Sequence, residues 1–295
     1  MYGKIIKGIG GFYYVASGHG VYSCRAKGIF RMLDIKPLIG DNVEFSIVDE
    51  KDMEGNVDRI LPRKNELIRP AVSNIDAVVA VASVARPRPQ LYLLDKYLVS
   101  IEMQNVPAVL VFNKCDLYGP DDSDYAEMYR KAGYQAWNVS AATGEGIEEL
   151  KDFMKGKSLV FAGPSGVGKS SLTNRICPEA LMETGGISRK IERGKHTTRH
   201  SEFFATEIFG EATYLLDTPG FSSLNLPEDV KTTNLCDFYT EFDPYVDYCK
   251  FAGCAHISEP VCGVKDALKD GRISPVRYEN YVSLYNELKN KRIKF

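Results

Sequence analysis

The stretch Ser158 to Ser171, SLVFAGPSGVGKSS, constrains the fold more than any other part of the chain. A short apolar run there ends in a glycine-rich turn, and a Lys-Ser pair opens a helix. Gly163, Gly166 and Gly168 free the backbone to turn, so that successive N–H groups point inward at a β/γ-phosphate, and the following helix aims its positive dipole end at the same place. Lys169 supplies a point charge for the β- and γ-phosphates, and the Ser170 hydroxyl can ligate the Mg²⁺ that bridges them. Gly163, Pro164, Ser165, Gly166, Val167, Gly168, Lys169 and Ser170 fit G-x-x-x-x-G-K-S without a gap, with Ser171 adjoining and the strand-like run Leu159–Ala162 in front. The alternative is a glycine-rich surface loop. The motif alone leaves open whether the base is adenine or guanine.

At 295 residues the chain exceeds one typical core, so two or three domains are expected. Its net charge of −2 argues against a uniformly basic coat, so any RNA contact must come from local patches. No apolar run approaches a membrane span, and the expectation is a cytoplasmic monomer with no membrane and no DNA partner. Seven cysteines is an odd number, and Cys24, Cys115, Cys177 and Cys236 have no near-sequence partner. A reducing compartment fits, with the other three doing something other than disulfide bonding.

Residues 1 to 66 read as five short strands, Lys4–Ile6, Phe12–Ala16, Val21–Arg25, Asn42–Val48 and Val57–Leu61, separated by Gly-rich or Asp-rich turns. Five strands in so small a unit predict a closed barrel of OB-fold size. Tyr13, Tyr22, Arg25, Lys27, Phe30 and Arg31 either present a nucleic-acid face or divide into barrel filling and solvated charge; the segment alone does not decide.

After the linker-like Pro62-Arg63-Lys64-Asn65 the pattern changes. Ile75–Val84 is nearly continuous Val, Ala and Ile, as in a strand buried on both faces. Leu91, Leu94, Leu98 and Ile101 recur at helical spacing, and Pro107–Phe112 is the next strand. A helix around Tyr125–Ala132, a strand at Gln135–Val139, a helix at Ile147–Met154 and the strand feeding the phosphate loop complete a doubly wound parallel sheet.

At the end of the Pro107–Phe112 strand stands Asn113-Lys114-Cys115-Asp116. An aspartate there can accept from N1–H and the 2-amino group of guanine, whereas adenine would leave the carboxylate unpaired. Lys114 can lay its stem along the base, and Asn113 can tie this loop to the phosphate loop. One strand later come Ser140 and Ala141, and the Ala141 N–H can donate to guanine O6. Three such loops at the carboxyl ends of neighbouring strands favour guanine. Downstream lie Gly194-Lys195-His196-Thr197-Thr198-Arg199 and Asp217-Thr218-Pro219-Gly220. Asp217 can hold a Mg²⁺-bound water, and the Gly220 N–H can touch the γ-phosphate. Either Thr197 or Thr198 should ligate Mg²⁺; the sequence leaves the choice open, and Thr198 is paired with Ser170 as the expected ligand set.

In an ordinary Ras-like GTPase the phosphate loop comes first and the base-reading loops last. Here Asn113 and Ser140 precede Gly163, so the domain is circularly permuted, and whatever follows Gly220 is tied to the element that answers to the γ-phosphate. That C-terminal part carries Cys249, Cys254, His256 and Cys262. Three thiolates and an imidazole make a closed tetrahedral Zn²⁺ set, and chance clustering of reduced cysteines is the alternative. Beyond it Tyr278–Lys294 reads as a helix with Tyr281, Tyr285 and Leu288 inward.

The expected architecture is therefore an α/β multi-domain chain. Residues 1–66 form an OB-fold β-barrel, 67–224 a circularly permuted Ras-like P-loop GTPase domain, and 225–295 a zinc-stapled, mainly helical domain. With NKCD, GPSGVGKSS, GKHTTRH, DTPG and the Cys₃His set in this order, the chain resembles the bacterial ribosome small-subunit-dependent GTPase A family. The resemblance implies GTP hydrolysis to GDP stimulated by the 30S subunit, a role in late maturation of that subunit, and contact with 16S rRNA through the barrel and zinc domains. Ras-like enzymes place a Gln after D-x-x-G, but here the position holds Phe221, which cannot orient water. His196, within the Gly194–Arg199 stretch, is the candidate substitute. Two rivals remain at this level: an assembly factor for which hydrolysis only times release, and a nucleotide-dependent small-molecule enzyme.

Overall fold

The computed structural model describes residues 1–119, 123–177, 202–218 and 226–291, apart from the Arg31 side chain. The chain divides into two compact units. The first comprises Met1–Val79, Gly146–Ala162 and Lys169–Gly220; the second comprises Ala80–Glu145, Gly163–Gly168 and Phe221–Phe295.

In the first unit β1 (Tyr2–Ile9), β2 (Phe12–Ser17), β3 (Gly20–Ala26), β4 (Asn42–Asp49) and β5 (Glu54–Ile60) close into a barrel of order β1-β2-β3-β5-β4. All pairs are antiparallel except β3 with β5, the parallel seam that shuts it. Alternation along each strand sends Ile5, Val15, Tyr22, Cys24, Val43, Phe45 and Val57 inward, and Phe30 of the short α1 (Ile29–Met32) plugs the same core. The segment read as a linker is pinned. Arg63 forks onto the fully buried Asp41 at 2.7 and 2.9 Å, and Asn65 Nδ2 donates to the Ile75 carbonyl at 2.8 Å. A two-residue hairpin, β6 (Glu66–Leu67) with β7 (Val72–Ser73), follows.

The central sheet has the order β10-β9-β8-β11-β13-β12. Its strands are β8 (Ala77–Ser83), β9 (Ala108–Asn113), β10 (Gln135–Val139), β11 (Ser158–Ala162), β12 (Phe203–Ile208) and β13 (Glu211–Asp217). Every residue of β8 and of β11 is buried, as covered parallel strands require. The expectation of an all-parallel sheet needs one correction. β12 runs antiparallel to β13 at the edge, because only Phe209 and Gly210 separate the two strands and so short a connection cannot make a parallel crossover.

Within the second unit α2 (Leu91–Glu102) and α3 (Tyr125–Lys131) cover β9 and β10, and α3 is capped by Asp124, whose carboxylate accepts from the Glu127 N–H at 3.0 Å. In the first, α4 (Ile147–Met154) packs on β12 and α5 (Lys169–Ile176) on β13. The C-terminal part of the second unit is mainly helical, with α6 (Asp243–Val246), α7 (Gly263–Lys269) and α8 (Pro275–Lys291). Its core of Leu235, Tyr239, Phe242, Val264, Ile273, Tyr281, Leu284 and Leu288 is continuous with Val99 of α2. No helix among the described residues is long and apolar enough to cross a membrane.

Candidate nucleotide and metal sites

The second unit brings the base-reading and glycine loops together through one side chain. Asn113, 1% exposed at the end of β9, donates from Nδ2 to the Val167 carbonyl at 2.9 Å and accepts the Ala141 N–H on Oδ1 at 3.1 Å. The expected tie to the phosphate loop is therefore present, and Ala141, expected to offer its N–H to a base, here spends it on Asn113. Lys114, in the left-handed conformation, donates from Nζ to the Gly166 carbonyl at 2.8 Å and to the Arg86 carbonyl at 2.5 Å. Its stem is thus held across the glycine loop. Asp116 is exposed, with one carboxylate oxygen accepting from the buried Ser140 hydroxyl at 2.5 Å, while the Thr143 N–H donates to that hydroxyl at 3.1 Å. A fixed, outward carboxylate beside a glycine-rich loop is what recognition of a donor edge such as guanine N1–H and 2-NH₂ needs. The Cys115 side chain is buried, and burial, with the Glu145 carboxylate nearby, pushes its thiol up to about 11, so it packs the loop from beneath.

The glycines are required by space as well as by angle. A Cβ on Gly163 would lie 2.1 Å from the Val81 carbonyl oxygen, and one on Gly168 would lie 2.3 Å from Asn113 Nδ2. Val167 is buried, whereas Ser165 and Gly166 face solvent and Pro164 is half-buried.

In the first unit α5 opens with Lys169, which is 8% exposed. Burial lowers its pKa, and the Asp217 carboxylate works against that shift. Ser170 Oγ lies 3.4 Å from Asp217 Oδ2, and Ser170 and Ser171 are exposed. That hydroxyl, in the first turn of α5, and that carboxylate, at the end of β13, suit a hard cation carried in with a triphosphate. Thr218 pins the end of β13, donating through both N–H and hydroxyl to the Phe161 carbonyl at 3.1 and 2.8 Å. His196, Thr197, Thr198, Gly220 and Phe221 lie outside the described residues.

Cys249, Cys254, His256 and Cys262 place all four ligand atoms within 4.8 Å of one another. His256 Nδ1 is 3.6 Å from Cys249 Sγ and 3.4 Å from Cys262 Sγ, and those sulfurs are 3.9 Å apart. Tetrahedral Zn²⁺ with ordinary bond lengths demands edges of about 3.8 Å for S to S and about 3.5 Å for S to N. The donor set fits zinc. Its loop is braced from outside, since Glu259 accepts the Ala255 and Ile257 N–H groups and the Tyr278 and Tyr281 hydroxyls donate to the His256 and Ala255 carbonyls.

On the barrel the aromatic expectation divides. Tyr22 and Phe30 are buried and fill the core, which removes them from any nucleic-acid face. Tyr13 is half-buried; Arg25 is exposed and lies over the Phe12 ring at 4.9 Å, and Lys27 pairs with Asp58 at 2.6 Å.

Residues 60–227 match the family model described as RsgA GTPase, and residues 2–56 the one described as the RsgA N-terminal domain. The chain is 52% identical to the small ribosomal subunit biogenesis GTPase RsgA of Agathobacter rectalis, covering 99% of each. It is 46% identical to the protein so named in Alkaliphilus metalliredigens, covering 98% of each. Among solved structures it resembles YjeQ from Thermotoga maritima, with TM-score 0.78 and 34% identity over 97% of this chain and 98% of that one. It also resembles YloQ, described as a circularly permuted GTPase, with TM-score 0.77 and 36% identity over 98% of this chain and 95% of that one.

Proposed function

Because this chain belongs to the RsgA family of GTPases, we propose that it binds the small ribosomal subunit and hydrolyses GTP during the late maturation of that subunit. It is a circularly permuted P-loop GTPase. The observation that carries the guanine reading is the Asn113 clasp, which locks the NKCD, Ser140–Ala141 and glycine loops into one receptor with Asp116 facing outward.

In this reading Asp116 recognises the guanine edge and Lys114 backs its plane. The backbone of Gly163, Pro164, Ser165, Gly166, Val167 and Gly168 cradles the phosphates, with Ser171 adjoining. Lys169 neutralises the β- and γ-phosphates, while Ser170 and Thr198 hold Mg²⁺ and Asp217 a water bound to it. Bound together with GTP, Mg²⁺ would supply charge neutralisation to the phosphates. Thr197 and Gly220 respond to the γ-phosphate, and His196 orients the attacking water in place of the side chain that Phe221 lacks. Zn²⁺ held by Cys249, Cys254, His256 and Cys262 staples the C-terminal region. Residues 1–66, 67–224 and 225–295 act as barrel, GTPase and zinc domains. The barrel and zinc domains contact 16S rRNA, and the chain works as a cytoplasmic monomer, with neither DNA nor membrane as partner.

The test is GTP turnover with and without purified 30S subunits. Strong stimulation is expected; binding of the subunit without stimulation would turn the reading toward an assembly factor for which hydrolysis is incidental. Asp116→Asn should shift preference from guanine to xanthine nucleotides, and unchanged guanine selectivity would refute its role. An unchanged stimulated rate in His196→Ala would remove that residue from the mechanism.

A further inference from the structure

Arg277, on α8, is 1% exposed, which is an unusual place for a guanidinium. It forks onto Glu241 at 2.7 and 2.9 Å and donates to Asp95 of α2 at 2.5 Å, and neither carboxylate is more than 4% exposed. Its planar face is enclosed by the rings of Tyr239, Tyr129 and Tyr134, at 4.5, 5.2 and 5.5 Å. Asp95 in turn accepts from the Tyr129 hydroxyl and from Asn280 Nδ2, both at 2.6 Å. Glu287 of α8 adds a second bolt, accepting from Lys96 and Tyr92 of α2.

Such a network is costly to bury and is not needed to hold two helices together, since an apolar junction of equal volume does that as well or better. What it adds is a fixed geometry, and the direction it faces matters. The Tyr129 ring packs on Phe112 at 5.6 Å, and Phe112 is fully buried and immediately precedes Asn113. Phe112 is gripped again at 5.7 Å by Tyr125, one turn earlier on the same face of α3. A run of contacts therefore leads from α8 through Asp95 and Tyr129 to Phe112, and the β9 backbone carries it one residue on to Asn113, whose side chain clasps Val167 and Ala141 from the other face of the strand.

The geometry points to Arg277 as a positioning residue for guanine-nucleotide binding: the zinc-bearing C-terminal region sets, through the Asp95–Tyr129 pair, the alignment of the Asn113 clasp. The inference rests on the guanine reading of that clasp and extends it to a region that touches no nucleotide. The coupling is reciprocal, so bound nucleotide must stiffen α8 as α8 stiffens the loops.

The experiment uses the full, zinc-loaded chain, with GDP affinity measured by titration and α8 amide exchange followed with and without GDP. Arg277→Met should weaken GDP by about three- to thirty-fold, the range of couplings carried through packed networks. GDP should slow α8 exchange in the unmodified chain but not in the variant, a readout that a merely structural role would leave untouched. Tyr129→Phe keeps the ring on Phe112 and cuts only the bond to Asp95, so it carries the test if Arg277→Met does not fold; a weakening of about three-fold is expected. GDP affinity unchanged in the folded variants, or α8 exchange indifferent to GDP, would overturn the inference. Asp116→Asn separates the two claims. If it weakens GDP while the α8 variants do not, the coupling fails alone; if it leaves GDP binding intact, the guanine reading fails.

Discussion

The Asn113 carboxamide bonds the Val167 carbonyl with its nitrogen and the Ala141 N–H with its oxygen, so one buried side chain closes three loops. Replacing it leaves both backbone groups without that partner, and each lost bond to a buried group costs about 1–3 kcal/mol. Asn113→Ala is therefore expected to weaken GDP by roughly ten- to a thousand-fold, and Asn113→Asp at least as much because it sets a carboxylate against the Val167 carbonyl. Titration with a fluorescent guanine nucleotide checks this, and Asn113→Asp binding like the parent would contradict the clasp.

Two glycines of the phosphate loop should differ in tolerance. Both have positive φ, +95° at Gly168 and +81° at Gly166, so either alanine variant carries backbone strain of about 1–3 kcal/mol. Only at Gly168 would the new methyl strike a fixed atom, Asn113 Nδ2 at 2.3 Å; at Gly166 the nearest neighbour would be Pro87 at 3.8 Å. Gly168→Ala should abolish measurable GTP binding, while Gly166→Ala should retain it at reduced affinity. Equal losses in equilibrium binding would contradict the close approach.

The local order of the chain was legible because each element carries its own period. The five barrel strands, the fully buried β8 and β11, and the limits of β10 and α4 follow from alternation, apolar runs and helical spacing. The edge strand β12 did not announce itself, since Phe203-Phe204-Ala205-Thr206 alternates weakly and its partner strand lies just beyond a Gly turn. At the site, the tie from Asn113 to the glycine loop was legible from the motifs, but Lys114 reaching the Arg86 carbonyl was not, because Arg86 belongs to no motif. The Arg277 hub was hidden for a plainer reason. Arg277 and Asp95 are far apart in sequence, and a charged residue on a helix ordinarily reads as solvated.

The junction of α2 with α8 should depend on pH. Burial alone would raise the pKa of Glu287, but its bonds from Lys96 and Tyr92 prevail and hold the carboxyl below its ordinary value. A folded-state pKa lower than the unfolded one means stability that is present above the ordinary carboxylate range and lost as pH falls through the folded value. The melting temperature should therefore fall on acidification below about pH 4.5, and Glu287→Gln should lower it at neutral pH by an amount equivalent to about 1–2 kcal/mol while flattening that acid dependence. A Glu287→Gln profile that coincides with the parent's at every pH would show that the bond contributes nothing.

Metal removal should act on folding before it acts on chemistry. A Zn²⁺ on the Cys₃His set would leave no position for a reacting water, so its work would be to close the loop from Cys249 to Cys262, whose backbone is also braced by Glu259, Lys265 and two tyrosine hydroxyls. Chelation, or Cys262→Ser at a residue 2% exposed, should lower the melting temperature by several degrees and release one zinc per chain. The loss should appear first as faster amide exchange around Ala255 and Ile257, because those N–H groups are bonded to Glu259 of the same loop and open as its shape relaxes. Zinc analysis of the purified chain beside a melting curve decides the matter: a chain that holds no zinc and melts identically in the presence of chelator would reduce the cluster to four thiol and imidazole groups packed by chance.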